Sequence, residues 1–126
     1  MIPEQEIREV LVDDTDLAAI VGQRVHVNAA PLEGRRPCVV IKRVSTSPVN
    51  QISGGHLLTR TWLQIGARSE RIAQANEIME LVRQAIEAYQ GGAVQTVKWL
   101  NRVTAWDPTL DTHAVDDDYA VWTAAL

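Results

Sequence analysis

The chain has 126 residues, a formal net charge of −4 from 12 basic and 16 acidic residues, and a hydrophobic fraction of 46%. That length is one domain with a self-sufficient core, and the acidic balance argues against a general nucleic-acid binder, which would carry a basic face. A single cysteine, Cys38, excludes an internal disulfide, and no apolar run is long enough to span a membrane. With no Phe and two Met, core bulk must come from Leu, Ile and Val, with Trp62, Trp99, Trp106 and Trp122 as the large pieces, expected in core or sheet-face packing. The acidic start, Met1 to Arg8, lacks the apolar stretch of a secretory signal, so folding in a cytoplasm is expected.

Pro3 suits the first turn of a helix, and Glu4 and Glu6 lie near its positive dipole end. Ile7, Val10 and Leu11 form the apolar stripe, and Asp13 and Asp14 interrupt it. Thr15 is expected to cap a second turn, Asp16 to Val21, which Gly22 ends; Leu17, Ile20 and Val21 face the core. Arg24 to Asn28 alternates as a short strand with His26 pointing outward, and one histidine makes no metal site. Asn28 to Pro37 is a loop, whose Arg35 and Arg36 are either solvated or set to meet an acidic partner.

Cys38 to Thr46 reads as a strand with an apolar start, placing Cys38 as a small buried hydrophobe. A turn-rich connector follows over Ser47–Gly55, containing Pro48, Asn50, Gln51 and Ile52. Leu57 to Ala67 is a long strand: Thr59, Thr61, Leu63, Ile65 and Ala67 share one face, and Leu58, Arg60, Trp62 and Gln64 the other. The two strands predict a hairpin whose polar, Thr-rich tip projects from the core. Ser69 is the expected N-cap of the longest helix, which runs to Tyr89 and stops at Gly91-Gly92. Ile72, Ala75, Met79, Val82, Ile86 and Tyr89 form its stripe, widened by Ile78, Leu81 and Ala85 to nearly half the circumference. A stripe this wide needs two supports: the sheet, and either the N-terminal helix or a neighbouring subunit.

Val94 to Trp106 alternates as a strand, with Val97, Trp99, Val103 and Ala105 expected on one face. Thr109 to Asp117 reads as a polar loop, and Tyr119 to Ala125 as a closing strand. Asp107, Asp111, His113, Asp116, Asp117 and Asp118 invite a cation, but their spacing matches no calcium loop and the required turn glycine is missing. A solvated acidic loop, usable as an electrostatic docking patch, fits better. No Gly-x-Ser-x-Gly elbow and no phosphate-binding glycine loop is present. The residues thus predict an α+β domain over residues 1–126: a mostly antiparallel sheet of four to five strands, a long helix and an N-terminal helix packed on it, and a projecting hairpin.

The order of these elements is similar to one known family. The matching segments are RRPCVVIKRVS, LLTRTWLQIGARS, the helix ERIAQANEIMELVRQAIEAYQG and the closing DDDYAVWTA. Together they resemble the small tail-completion or tail-terminator (head–tail joining) proteins of long-tailed bacteriophages, prophages and gene-transfer particles, over nearly the whole chain. The resemblance implies a structural virion protein with no catalytic residue, cofactor or metal, assembled in the bacterial host cytoplasm. It implies a hexameric ring at the head-proximal end of the tail that stops tube polymerisation and receives the head connector. Its partners would be further copies of itself, the major tail tube protein and the neck proteins, with no nucleic-acid specificity and no membrane. The residues nominated as interface are Arg35, Arg36, Pro48, Asn50, Gln51, Ile52, Arg60, Leu81, Ala85, Asp116, Asp117 and Asp118. Two other readings stand beside it: a small cytoplasmic ligand-binding or regulatory domain, and an enzyme built on the Asp107–Asp118 loop.

Overall fold

The structure, a computed structural model, describes residues 2–28, 36–50, 56–89, 92 and 94–124. Helix α1 spans Pro3–Asp13, with Pro3 in its first turn. The chain breaks at Asp14, whose Oδ1 accepts a hydrogen bond from the Leu17 amide at 2.9 Å, and α2 follows over Thr15–Val21. The aspartate therefore caps α2, and Thr15 is its first residue: Asp14 adopts the extended backbone a cap needs. Gly22 ends α2 at φ 60, a conformation that favours glycine.

Strand β1 is Val25–Val27, β2 is Cys38–Asn50, β3 is His56–Ser69, β4 is Val94–Asp107 and β5 is Thr112–Ala124; helix α3, Ile72–Ala88, lies between β3 and β4. The five strands form one sheet in the order β1-β2-β3-β5-β4. Only β1 and β2 run parallel; the other neighbours are antiparallel. The N-terminal and long helices and the sheet are thus the α+β arrangement the sequence predicts.

The helices cover one sheet face. Ile7, Leu11, Leu17 and Val21 meet Val25, Val39 and Ile41, while Ala75, Ile78, Met79, Val82 and Ile86 meet Leu63, Ile65, Ala67, Val115, Tyr119 and Val121 in a single cluster. The predicted inward face of β3 is correct, and Cys38 is fully buried. Burial of such a cluster is the main term holding the domain together.

Several local expectations change. The acidic stretch is not a loop: β5 begins at Thr112, so Asp116, Asp117 and Asp118 lie within a strand flanked on both sides. Ser69 is the last residue of β3, not the cap of α3, which starts after Arg71; its hydroxyl accepts from the Arg71 amide and donates to Gln74 Oε1. Ile72, the first residue of α3, is 39% exposed and so leaves the expected stripe. Of the two places expected for the tryptophans, core or sheet face, Trp62, Trp99 and Trp106 take the sheet face, 38%, 39% and 55% exposed. The largest fully buried side chain is Tyr119.

The single-face alternation expected along β4 also fails. A bulge between Trp99 and Asn101 leaves Leu100 unpaired and reverses the pattern. Val97 and Trp99 share rows with Val121 and Tyr119 on the helix side, whereas Val103 shares the row of Asp116 on the open side. Arg102 joins the row of Asp117, on the same side as Trp99. A second bulge, at Val44, lies between Arg43 and Ser45 of β2.

Candidate assembly surfaces

The open face of the sheet is built from rows that alternate with the buried ones. Lys42, Gln64 and Asp118 form one row, Val40, Gly66, Asp116 and Val103 the next, and Arg68, Ala114 and Ala105 the one beyond. Arg68 Nη1 donates to Asp116 Oδ1 at 2.7 Å across Gly66. The glycine leaves room for this pair: a Cβ on it would overlap the Asp116 carboxylate and lie 2.6 Å from Arg68 Nη1, so the two side-chain ends would have to move. Near this pair is a cavity of about 430 Å³, lined among others by Arg36, Lys42, Gln64, Trp106 and Asp116. Further along the open face, Arg60 half-buries itself with its guanidinium 5.7 Å from the Trp122 ring centroid.

Asp117 is different from its two acidic neighbours. It is fully buried on the helix side, and its two oxygens accept from Arg102 Nε at 2.7 Å and Arg102 Nη2 at 3.0 Å. The Tyr119 hydroxyl also donates to it at 3.2 Å. Burial, and then the adjacent carboxylate, push the Tyr119 phenol far up. Arg102 continues to Glu80 of α3 at 2.7 Å, and Glu80 accepts from Arg83 at 2.8 Å. Hydrogen bonds from Arg83 and then Arg102 hold the Glu80 carboxyl down to about 2. Both guanidiniums stack on Trp99, at 5.3 and 5.1 Å from its centroid. This chain of charges ties the outer strand β4 to α3, and half-shields Trp99 without burying it.

Two buried glutamates fix the N-terminal helix in the same way, through three hydrogen bonds. Glu4 accepts from Arg43 at 2.8 Å. Glu6 accepts from the Tyr89 hydroxyl at 2.8 Å and from the Val94 amide at 3.2 Å. These glutamates are buried, so their role exceeds the dipole effect that the sequence suggested.

The nominated residues do not form one patch. Pro48 lies in the exposed stretch Lys42–Val49, which continues β2 beyond the helix layer; Asn50 ends that strand. Arg35, Gln51 and Ile52 fall outside the described residues. Arg36 borders the open-face cavity with Asp116, and Asp118 lies in the neighbouring row with Gln64. Leu81 and Ala85 are partly buried against the core. Ala85 also borders a groove of about 510 Å³ between α1 and α3, together with Glu9, Val10, Asp13 and Tyr89. The sequence missed the β4 stripe, where Trp99, Leu100, Val103, Trp106 and the adjoining Leu110 are 39% to 55% exposed. Its composition was visible, but the bulge after Trp99 that turns Val103 to the open side was not.

The edges of the sheet complete the picture. Among the described residues, β1 covers β2 only at Val39–Ile41, and nothing pairs with the outer side of Lys42–Asn50. Strand β4 is the opposite edge and is likewise unpaired outside. No helix is long and apolar enough to cross a membrane, and no group of three or more potential metal ligands occurs among the described residues.

Comparison with known proteins agrees with this architecture. The family described as "Tail completion protein gp17" matches residues 5–124. Among solved structures, a chain of the "Virion of native gene transfer agent (GTA) particle" superposes with a TM-score of 0.79 at 17% identity, covering 98% of this chain and 95% of that one. None of the proteins of curated function matches the sequence.

Proposed function

We propose, from the premise that this chain belongs to the tail completion protein gp17 family, that it closes the head-proximal end of a tail tube as a ring. The chain is a structural protein of a phage-like tail. In the proposed role a hexamer stops polymerisation of the major tail tube protein and offers its other surface to the neck proteins of the head. The observation that carries the reading is the family match across residues 5–124. Among the described residues, two unpaired edges at opposite ends of one sheet support it, because a subunit with two different free edges builds head-to-tail, and such contacts make rings when the rotation closes.

The surfaces assigned to this role follow the sequence. The end of β2, with Pro48 and Asn50, and Arg36 at the open-face cavity meet the tube or the neck, and the same role is proposed for Arg35, Gln51 and Ile52, which lie outside the described residues. Arg60, Asp116 and Asp118 lie on the open sheet face and meet a polar partner surface. Leu81 and Ala85 border the helix layer where a neighbouring copy packs. Asp117 acts through Arg102, since it is fully buried.

The test is a capping assay. Purified chain is added to polymerising tail tube protein, and tube lengths are measured by electron microscopy. Capping predicts shorter tubes with a ring at one end, in proportion to the chain added. A chain that remains monomeric and leaves tube length unchanged at every ratio overturns the proposal.

A further inference from the structure

Among the described residues, opposite edges of one sheet expose apolar side chains where no strand pairs with them. On β2 these are Val44 and Val49, 46% and 39% exposed; on β4 they are Trp99 and Leu100, 39% and 41% exposed. Burial of the β2 edge stops where β1 stops, at Ile41. Exposed edge strands of this kind are templates for another chain and are normally blunted or covered.

The register matches the part of β2 beyond β1 with the first half of β4; Arg102–Thr104 stand level with Val39–Ile41, which β1 already covers, so the pairing ends at Asn101, beside the Leu100 bulge. Lys42 shares a row with Gln64, Asp118 and Asn101, and Ser45 shares one with Trp62, Ala120 and Lys98. Ser47 is in the row of Arg60, Trp122 and Thr96, and Pro48 in that of Thr59, Thr123 and Val94. The uncovered part of β2 therefore stands at the same height as Val94–Asn101 of β4. The directions agree too. Three antiparallel steps separate β2 from β4, so the two run oppositely, and a second copy placed alongside in the same orientation pairs its β2 antiparallel to this β4. Over Lys42–Ser47 and Thr96–Asn101 each edge carries one bulge, Val44 and Leu100, in adjacent rows, so both edges bend at the same height; the other register shifts, at Gln95 of β4 and at the end of β2, lie beyond these stretches. Pro48, which has no N–H, ends the run of donors and limits the pairing to the stretch that matches.

We infer that the occupant of each edge is a second copy of this chain: Lys42–Ser47 of one copy pairs antiparallel with Thr96–Asn101 of the next, joining the sheets edge to edge. The inference rests on the ring reading and names the contact that closes the ring. Val44 and Leu100 then pack across the seam, and Trp99, already held by Arg83 and Arg102, becomes covered.

The experiment is cysteine cross-linking in the full chain, alone at high concentration and on tail tube protein. Ser45→Cys and Lys98→Cys occupy the same row on facing edges. A short bismaleimide should link the double variant into a ladder of covalent multimers. Neither single variant should give a ladder, and Ser45→Cys combined with Ile72→Cys, on the helix layer, should give none. In parallel, Leu100→Glu, at an exposed bulge outside the core, should weaken assembly at least tenfold with an unchanged melting temperature. Rings that form normally with Leu100→Glu and yield no Ser45–Lys98 ladder overturn the seam and leave the ring standing. Absence of any multimer from the wild-type chain, on tubes or alone, overturns both.

Discussion

Replacing Asp117 with alanine removes a carboxylate that is 0% exposed and accepts three hydrogen bonds. The Tyr119 hydroxyl loses the acceptor it donates to at a buried site, which costs about 1–3 kcal/mol. Arg102 loses its bidentate partner, and breaking a buried pair costs about 3–5 kcal/mol. Here the cost lies lower, because the Arg102 side chain is 20% exposed and keeps Glu80 at 2.7 Å. The expected loss is about 3 kcal/mol, or a fall of roughly 10 °C in melting temperature for a domain of this size. Asp116→Ala, which removes a partly exposed pair with Arg68, should cost about 1 kcal/mol. Asp118→Ala, whose contact with Gln64 is 3.4 Å long, should stay within about 0.5 kcal/mol. Urea unfolding of the three variants measures the order directly. If Asp117→Ala costs no more than Asp118→Ala, the three aspartates are equivalent solvated groups and the buried network is wrong.

Three further outcomes follow from the same contacts. The Glu80 carboxyl sits at about 2 in the folded chain, below its unfolded value of about 4.3, so its contribution is complete above that unfolded value and fades as pH falls toward 2; melting curves between pH 5 and 2 should show this limb in the wild type and lose it in Glu80→Gln. Gly66→Ala should cost about 1 kcal/mol by forcing Asp116 and Arg68 apart, and nearly nothing extra in an Asp116→Ala background; equal cost in both backgrounds would place the clash elsewhere. Burial pushes the Cys38 thiol up, so a thiol reagent should leave it unmodified in the native chain at pH 8 and react with it in denaturant; rapid native labelling would contradict its place in the core.

Periodicity made much of the fold legible. The inward face of β3, the stripe of α3 and the break between α1 and α2 are all local patterns of apolar spacing. The errors share a cause: a partner distant in sequence. Thr112–Asp118 looks like a loop because it is polar, yet Asp117 is satisfied by Arg102 on the neighbouring strand and so tolerates the interior. Glu4 and Glu6 look like surface dipole partners, but Arg43, Tyr89 and the Val94 amide reach them across the fold. A bulge leaves no mark in composition, so the outward turn of Val103 and the pairing of Arg102 with Trp99 could not be read from alternation. The proposed assembly surface was legible only in part. The exposed end of β2 follows from its poverty in apolar residues, whereas the β4 edge depends on which strand ends up outermost.

The claim that this chain terminates a tail is tested most directly in particles assembled without it. Electron microscopy of such particles should show tails of abnormal, variable length and heads left unjoined, both restored by supplying the chain in trans. Particles lacking it that carry tails of normal length joined to heads would contradict the account.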